Sequence, residues 1–333
     1  MRYSFIIPVY NRPNEIKELL DSLTLQYFQE PFEVVIVEDG STISSESVIA
    51  DFKDALTITY FKKPNSGPGD SRNYGMQRAK GNYFIILDSD CILPPAYLVE
   101  VDKSLKENFV DCFGGPDAAH ASFSIVQKAI NYAMTSFLTT GGIRGREKAV
   151  DKFQPRSFNM GISKKAFMDV GGYGNIHPGE DPDLTIRIWN KGYKTKLIST
   201  AYVFHKRRID WNTFYIQVNK FGMVRPILNQ WHPKTKKITY WFPTLFCVGL
   251  LGSLLLMLFG YNYPIRCYGL YGIILFVDAV FKTKNLKVAV FALFATGVQF
   301  LGYGYGFLKS TYYLTVSNKE PEHLFPKLFF KTN

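Results

Sequence analysis

Gly81-Asn82-Tyr83-Phe84-Ile85-Ile86-Leu87-Asp88-Ser89-Asp90 is the stretch from which the fold is read. Its apolar and aromatic run, of strand length and bounded by turn residues, fits a strand covered on both faces, as in parallel α/β sheets. Ligands of such sheets collect beyond the carboxyl ends of the strands. There the run breaks into Asp88 and Asp90 around a small residue, and two carboxylates in a turning backbone can converge on a hard divalent cation. Asp and Ser also populate ordinary turns after strands, so the remainder of the chain has to decide.

Toward the N-terminus the same pattern repeats. Ser4 to Val9 reads as a strand interrupted by Pro8, and Tyr10-Asn11-Arg12-Pro13 is turn chemistry opening a helix in which Ile16, Leu19, Leu20 and Leu23 keep helical spacing. Glu33 to Val37 is a second strand, ending in Glu38-Asp39-Gly40-Ser41, so that two strands point acids toward one rim. A helix over Ser45 to Phe52 and a strand over Thr57 to Phe61 continue the alternation, which predicts a mostly parallel sheet with right-handed crossovers. Beyond the loop containing Pro64, Gly67, Pro68 and Gly69, a helix from about Asp70 to Lys80 carries Arg72 in its first turn, where helix donors already favour anions.

Toward the C-terminus, a helix is expected over Tyr97 to Glu107, a short strand over Asp111 to Gly115 and a helix over Ala118 to Leu138. Thr139 to Lys148 is glycine-rich and basic, a candidate mobile loop over an anionic ligand or a plain connector. Asn159-Met160-Gly161-Ile162 leads into a short helix, Lys164 to Val170. Gly179-Glu180-Asp181-Pro182-Asp183-Leu184 places acids at a helix start, either as partners of the helix dipole or as a base presented at the rim. Lys194 to Ser199 and Ala201 to Phe204 read as strand and close on His205, which is a metal-ligand candidate or a structural histidine.

The 333 residues carry a formal charge of +11 and 47% hydrophobic residues. That balance permits a real core, and the basic excess fits a membrane surface or phosphate-bearing ligands; no nucleic-acid motif accompanies it. Cys91, Cys112, Cys247 and Cys267 lack metal-ligand spacing, and a reduced, cytosol-facing domain without a signal peptide is the simpler expectation. Trp211 to Trp231 is amphipathic and aromatic and suits a membrane interface. Apolar runs follow at Tyr240 to Phe259, Tyr263 to Phe281 and Val288 to Phe307, each near the ~20 residues a bilayer core requires. Arg266 and Asp278 weaken the second. Lys234, Lys236 and Lys237 put the soluble domain in the cytoplasm by the positive-inside rule, yet three full spans would leave the basic tail outside; the third run is then re-entrant or interfacial. The expected division is 1–210 catalytic, 211–238 interfacial, 239–310 membrane helices and 311–333 basic tail.

Taken together, Ser4-Phe5-Ile6-Ile7-Pro8-Val9-Tyr10-Asn11, Val35 to Ser41, Arg72-Asn73-Tyr74-Gly75, Gly81 to Asp90 and Gly179 to Leu184 resemble glycosyltransferase family 2, in order and spacing over about the first 210 residues. The resemblance implies an inverting sugar transferase of the A-type, Rossmann-like nucleotide-diphospho-sugar fold. Pro8, Tyr10 and Asn11 would line the base pocket, Asp39 would accept hydrogen bonds from the base, and Arg72 would lie against the nucleotide. Asp90 would ligate Mn²⁺ or Mg²⁺ on the diphosphate, with Asp88 holding the ribose or supporting the metal. Asp181, beside Glu180 at the substrate, takes the place of the catalytic base. The Gln-x-x-Arg-Trp signature of processive members is absent, and Gln217 to Phe221 only echoes it, which favours single additions. The implied partners are a nucleotide-sugar, most commonly a uridine one, a lipid-linked or glycan acceptor, and the inner membrane. A nucleotidyltransferase of the same fold and a non-catalytic nucleotide-sugar-binding membrane protein remain the alternatives.

Overall fold

The computed structural model describes residues 2–118, 123–141, 153–205 and 210–330, without the side chain of His205. The chain divides into two compact units. One comprises Met1–His120, Glu147–Lys206 and Phe329–Asn333, and the other Ala121–Arg146 and Arg207–Leu328.

The first unit opens with β1 (Tyr3–Val9), α1 (Pro13–Thr24), β2 (Glu33–Asp39), α2 (Glu46–Ala50), β3 (Thr57–Lys63), α3 (Pro68–Arg78) and β4 (Tyr83–Leu87). It continues through β5 (Cys91–Ile92), α4 (Tyr97–Glu107), β6 (Cys112–Gly114) and β7 (Asp117–Ala118). The chain then contributes α5 (Ile125–Thr135) and α6 (Phe137–Thr140) to the second unit. It returns to the first as β8 (Asn159–Ser163), α7 (Lys164–Val170), α8 (Glu180–Asn190), β9 (Thr195–Leu197) and β10 (Val203–His205).

The main sheet has the order β3-β2-β1-β4-β8-β6-β9. Pairing is parallel from β3 to β4 and again between β6 and β9; β8 runs antiparallel to both neighbours. The fold is thus α/β around a mostly parallel sheet. Side chains alternate between two cores as a two-residue period requires. Phe5, Ile7, Ile36, Tyr83, Ile85 and Leu87 enter one, and Ile6, Val35, Val37, Phe84 and Ile86 the other. Every residue of β4 is fully buried, so each of its large apolar side chains contributes about 1.5–3 kcal/mol. Pro8 is tolerated because β1 pairs with β4 only through Ile6, and its missing N–H lies past that ladder.

Two details depart from the periodicity reading. Asn159 to Ser163, expected only as the entry to the helix Lys164–Val170, is itself an inner strand that runs directly into that helix, α7, and the expected helix from Ala118 is β7 followed, after the undescribed 119–122, by α5. The strand assignment of 159–163 is explained by its full burial between β4 and β6, where backbone groups need ladder partners on both sides.

In the second unit, α9 (Trp211–Trp231), α10 (Phe242–Leu258), α11 (Tyr263–Thr283), α12 (Leu286–Val316) and α13 (Pro321–Leu324) join α5 and α6. Three of these are long and apolar enough to cross a membrane: α10 with the preceding turn (Ile238–Leu258), α11 and α12. α12 is one uninterrupted helix of 31 residues and therefore not re-entrant in form. It lies parallel to α9, with Trp211 stacked on Phe291 at one end and Gly222 against the Tyr303 carbonyl further along. Asp278 does not face the apolar surroundings alone: Tyr132 and Ser136 donate to it and Lys282 pairs with it.

Candidate active site

The acids predicted from strand ends and a helix start all lie in the first unit, at the carboxyl rim of its sheet or in loops against it. Asp88 and Asp90 occupy the turn between β4 and β5. The Arg72 guanidinium, in the first turns of α3, donates to Asp88 Oδ1 at 2.8 Å and reaches Glu180 Oε1 at 3.4 Å. Arg12, just before α1, pairs with Asp90 Oδ2. Burial opposes the charge on both arginines, but the facing carboxylates outweigh it and keep each guanidinium more firmly protonated than usual. Arg72 thus couples Asp88, just after β4, to the start of α8.

Glu180 and Asp181 are neighbours with opposite environments. Burial pushes Glu180 up, but His177 Nδ1 at 2.9 Å and Arg72 together hold its carboxyl below the ordinary value. Burial and then the Glu180 charge push Asp181 up to about 6. The Ser157 N–H, at 3.2 Å, donates to its Oδ2, while Oδ1 is buried with no hydrogen-bond partner among the described residues. An environment that separates two adjacent carboxyls in this way is how acid and base roles are assigned at neutral pH.

Asp39 is more committed. Its oxygens accept from the backbone N–H groups of Ser66 and Gly67, each at 2.9 Å, and from Lys63 Nζ at 2.8 Å, with Asn65 Nδ2 at 3.4 Å. Lys63 also pairs with Asp70 at 3.0 Å. Asn11, in the left-handed region at φ 53°, turns its Oδ1 to the N–H groups of Thr42 and Ile43. Its side chain therefore shapes the loop after β2. Pro8 is partly buried at the end of β1, and Tyr10 is exposed beside it. A cavity of about 390 Å³ opens next to this group, lined by Glu38, Gly40, Ser41, Ser44, Lys62, Lys63 and Pro64. Its lining includes Lys63, the partner of Asp39, but none of Asp39, Asp88, Asp90 or Asp181.

The backbone of His205 pairs with Cys91, the residue after Asp90; its side chain, and the basic residues 144–148, lie outside the described residues. Among the described residues no three of His, Cys, Asp and Glu gather as a complete ligand set. Asp88 and Asp90 supply hard oxygen donors, each already drawn to a positive charge. The set fits a divalent ion that takes the rest of its shell from phosphate and water. Arg12, Lys63, Ser157 and His177 were not read from the sequence. For His177 a signal existed, its position three residues before Glu180.

Fold and rim together define the A-type glycosyltransferase architecture. A mannosyltransferase from Pyrobaculum calidifontis, solved with GDP-mannose and Mn²⁺, superposes with a TM-score of 0.61 at 16% identity, covering 90% of this chain and 87% of that one. Residues 1–349 of TarS from Staphylococcus aureus superpose with a TM-score of 0.51 at 18% identity, over 95% of this chain and 92% of that one. At such identities the likeness is one of fold. The chain belongs to glycosyl transferase family 2, whose sequence profile matches residues 4–171, just over half of the 333.

Among curated relatives, an uncharacterized glycosyltransferase of Rickettsia bellii is 42% identical over 89 residues, 27% of this chain and 13% of that protein. The poly(ribitol-phosphate) β-N-acetylglucosaminyltransferase TarS of S. aureus is 32% identical over 114 residues, 33% of this chain and 20% of TarS. The chain thus spans a fraction of the length of these relatives.

Proposed function

We propose that this family 2 protein is a membrane-bound inverting glycosyltransferase, moving one sugar from a nucleoside-diphosphate donor to a hydroxyl of a lipid-linked or glycan acceptor in cell-surface polysaccharide synthesis. The observation that carries the proposal is Asp181, a carboxyl raised to about 6 with one buried oxygen unpartnered among the described residues, lying in the field of Arg72, which pairs with Asp88 after β4.

In this reading Asp181 Oδ1 takes the proton of the acceptor hydroxyl as its oxygen attacks the anomeric carbon. The bond from that carbon to the diphosphate breaks on the opposite face, the nucleoside diphosphate departs, and the anomeric centre inverts. Such a base contributes typically ~10²–10⁴-fold. Glu180, held charged by His177 and Arg72, keeps the field that raises Asp181 and cannot itself take the proton easily. Asp90 with Asp88 would hold Mn²⁺ or Mg²⁺, which neutralises charge developing on the departing diphosphate. Pro8, Tyr10, Asn11 and Asp39 form the nucleoside side of the site. The lysines at 234, 236 and 237 favour a catalytic unit on the cytoplasmic face of the inner membrane.

The purified full chain, given Mn²⁺ or Mg²⁺ and a panel of sugar nucleotides led by UDP- and GDP-sugars, should release nucleoside diphosphate from one donor class. Release of pyrophosphate from a sugar phosphate and nucleoside triphosphate would instead indicate nucleotidyl transfer. Nucleotide binding without turnover, even with lipid-linked and glycan acceptors supplied, would indicate a binding protein.

A further inference from the structure

Phe329 and Phe330 belong to the same compact unit as the sheet, although the whole of α9 to α13 precedes them in the chain. Phe329 forms an antiparallel bridge with Ile176, and the Phe330 N–H donates to the Asn175 carbonyl at 3.0 Å. The Phe330 ring lies 5.9 Å from the His177 ring. Its other neighbour is Gly67, where the backbone has φ +93° and a Cβ would fall 2.3 Å from the Phe330 ring. The loop is bare at the place where the ring rests on it.

The two segments under this dipeptide are the ones that hold the acids of the site. Ser66 and Gly67 give their N–H groups to Asp39, and His177 gives its ring nitrogen to Glu180. We infer that Phe330 is a positioning residue, fastening the 65–67 loop over Asp39 and the 175–177 segment ahead of Glu180 and Asp181, so that donor binding depends on a C-terminal strap. This rests on the reading of Asp39 as part of the nucleoside side of the site. A short glycine-containing loop without that ring has more conformations to lose when a nucleotide binds, and the loss appears as weaker affinity. Chemistry at Asp181 is touched less, because the Arg72 contact of Glu180 and the Ser157 N–H on Asp181 both come from outside the 65–67 and 175–177 segments.

The test uses the full-length protein and the variants Phe330→Ala and Phe330→Leu, with UDP and GDP in the presence of Mn²⁺ as binding probes. Phe330→Ala should weaken nucleotide binding and raise the donor KM roughly tenfold, with kcat changed less than about threefold, and Phe330→Leu should restore most of the affinity. Hydrogen exchange without nucleotide should speed up about tenfold at the Ser66 and Gly67 amides in Phe330→Ala. Unchanged exchange there, or a fall in kcat at constant KM, overturns the positioning role even if nucleotides bind normally. A wild-type chain that binds neither nucleotide overturns the functional reading and the affinity claim together.

Discussion

Arg72 is the residue whose loss the site tolerates least. It is almost fully buried between Asp88 and Glu180, within the field of Asp181, and its replacement leaves several carboxylates facing one another without a counter-charge. Arg72→Met should cost about 3–5 kcal/mol of stability, read by denaturant unfolding in detergent, because breaking a buried pair strands its partners. Lysine cannot span both carboxylates with a planar fork, so Arg72→Lys should recover only part of this. Asp181 makes a prediction about pH. It must be ionised to accept a proton, and its carboxyl is raised to about 6, so the transfer rate should climb as pH rises through about 6 and level off above it. A profile flat from pH 5 to 8 would remove Asp181 from the base role. Asp88, Asp90 and Asp181 were readable in the sequence because acids at a strand end or helix start announce themselves locally. Arg12, Lys63 and Ser157 were not, since each acquires its partner only when distant segments meet, Arg12 across 78 residues of chain.

At the scale of elements, the two-residue alternation of β1, β2 and β4 was legible because those strands are buried on both faces and bounded by turn residues. β5, β7 and β10 were not, or only as parts of longer runs, since strands of two or three residues are too short to show a period. The antiparallel insertion of β8 also escaped the sequence, because its Met-Gly-Ile core carries no directional signal and glycine weakens strand propensity. In the second unit, hydropathy identified the long helices but not how α9 and α12 touch. Their backbones approach at Gly222 and Gly306, where a Cβ would meet the Tyr303 and Asn219 carbonyls at 2.2 and 2.3 Å. Gly222→Leu should therefore push the two helices apart and lower stability by about 1–3 kcal/mol, measured as thermal unfolding in detergent, whereas Gly269→Leu, which meets nothing within 4 Å, should be nearly neutral.

For the whole molecule, Phe329 and Phe330 return to the sheet-bearing unit although α9 to α13 precede them in the chain. If the catalytic unit lies on one face of the membrane, as proposed, a chain that leaves this unit after β10 and rejoins it at Phe329 crosses the bilayer an even number of times. On that proposal two of α10, α11 and α12, each long and apolar enough to cross, would span. On the same proposal α12 would stay on the catalytic side, since it is the most buried of the three and runs parallel to α9, whose Asn212, Lys220 and Arg225 suit an interface. A cysteine-labelling reagent that cannot cross the membrane should modify a cysteine introduced beyond Phe330 from the same side as one introduced at exposed Tyr27, and one at Tyr261 from the opposite side. The proposed activity requires donor binding and proton removal at one rim. The most direct measurement compares wild type and Asp181→Asn for nucleotide binding and for metal-dependent sugar transfer. Transfer reduced at least ~10²-fold with nucleotide affinity retained is the predicted result; transfer that persists in Asp181→Asn at the wild-type rate would contradict it.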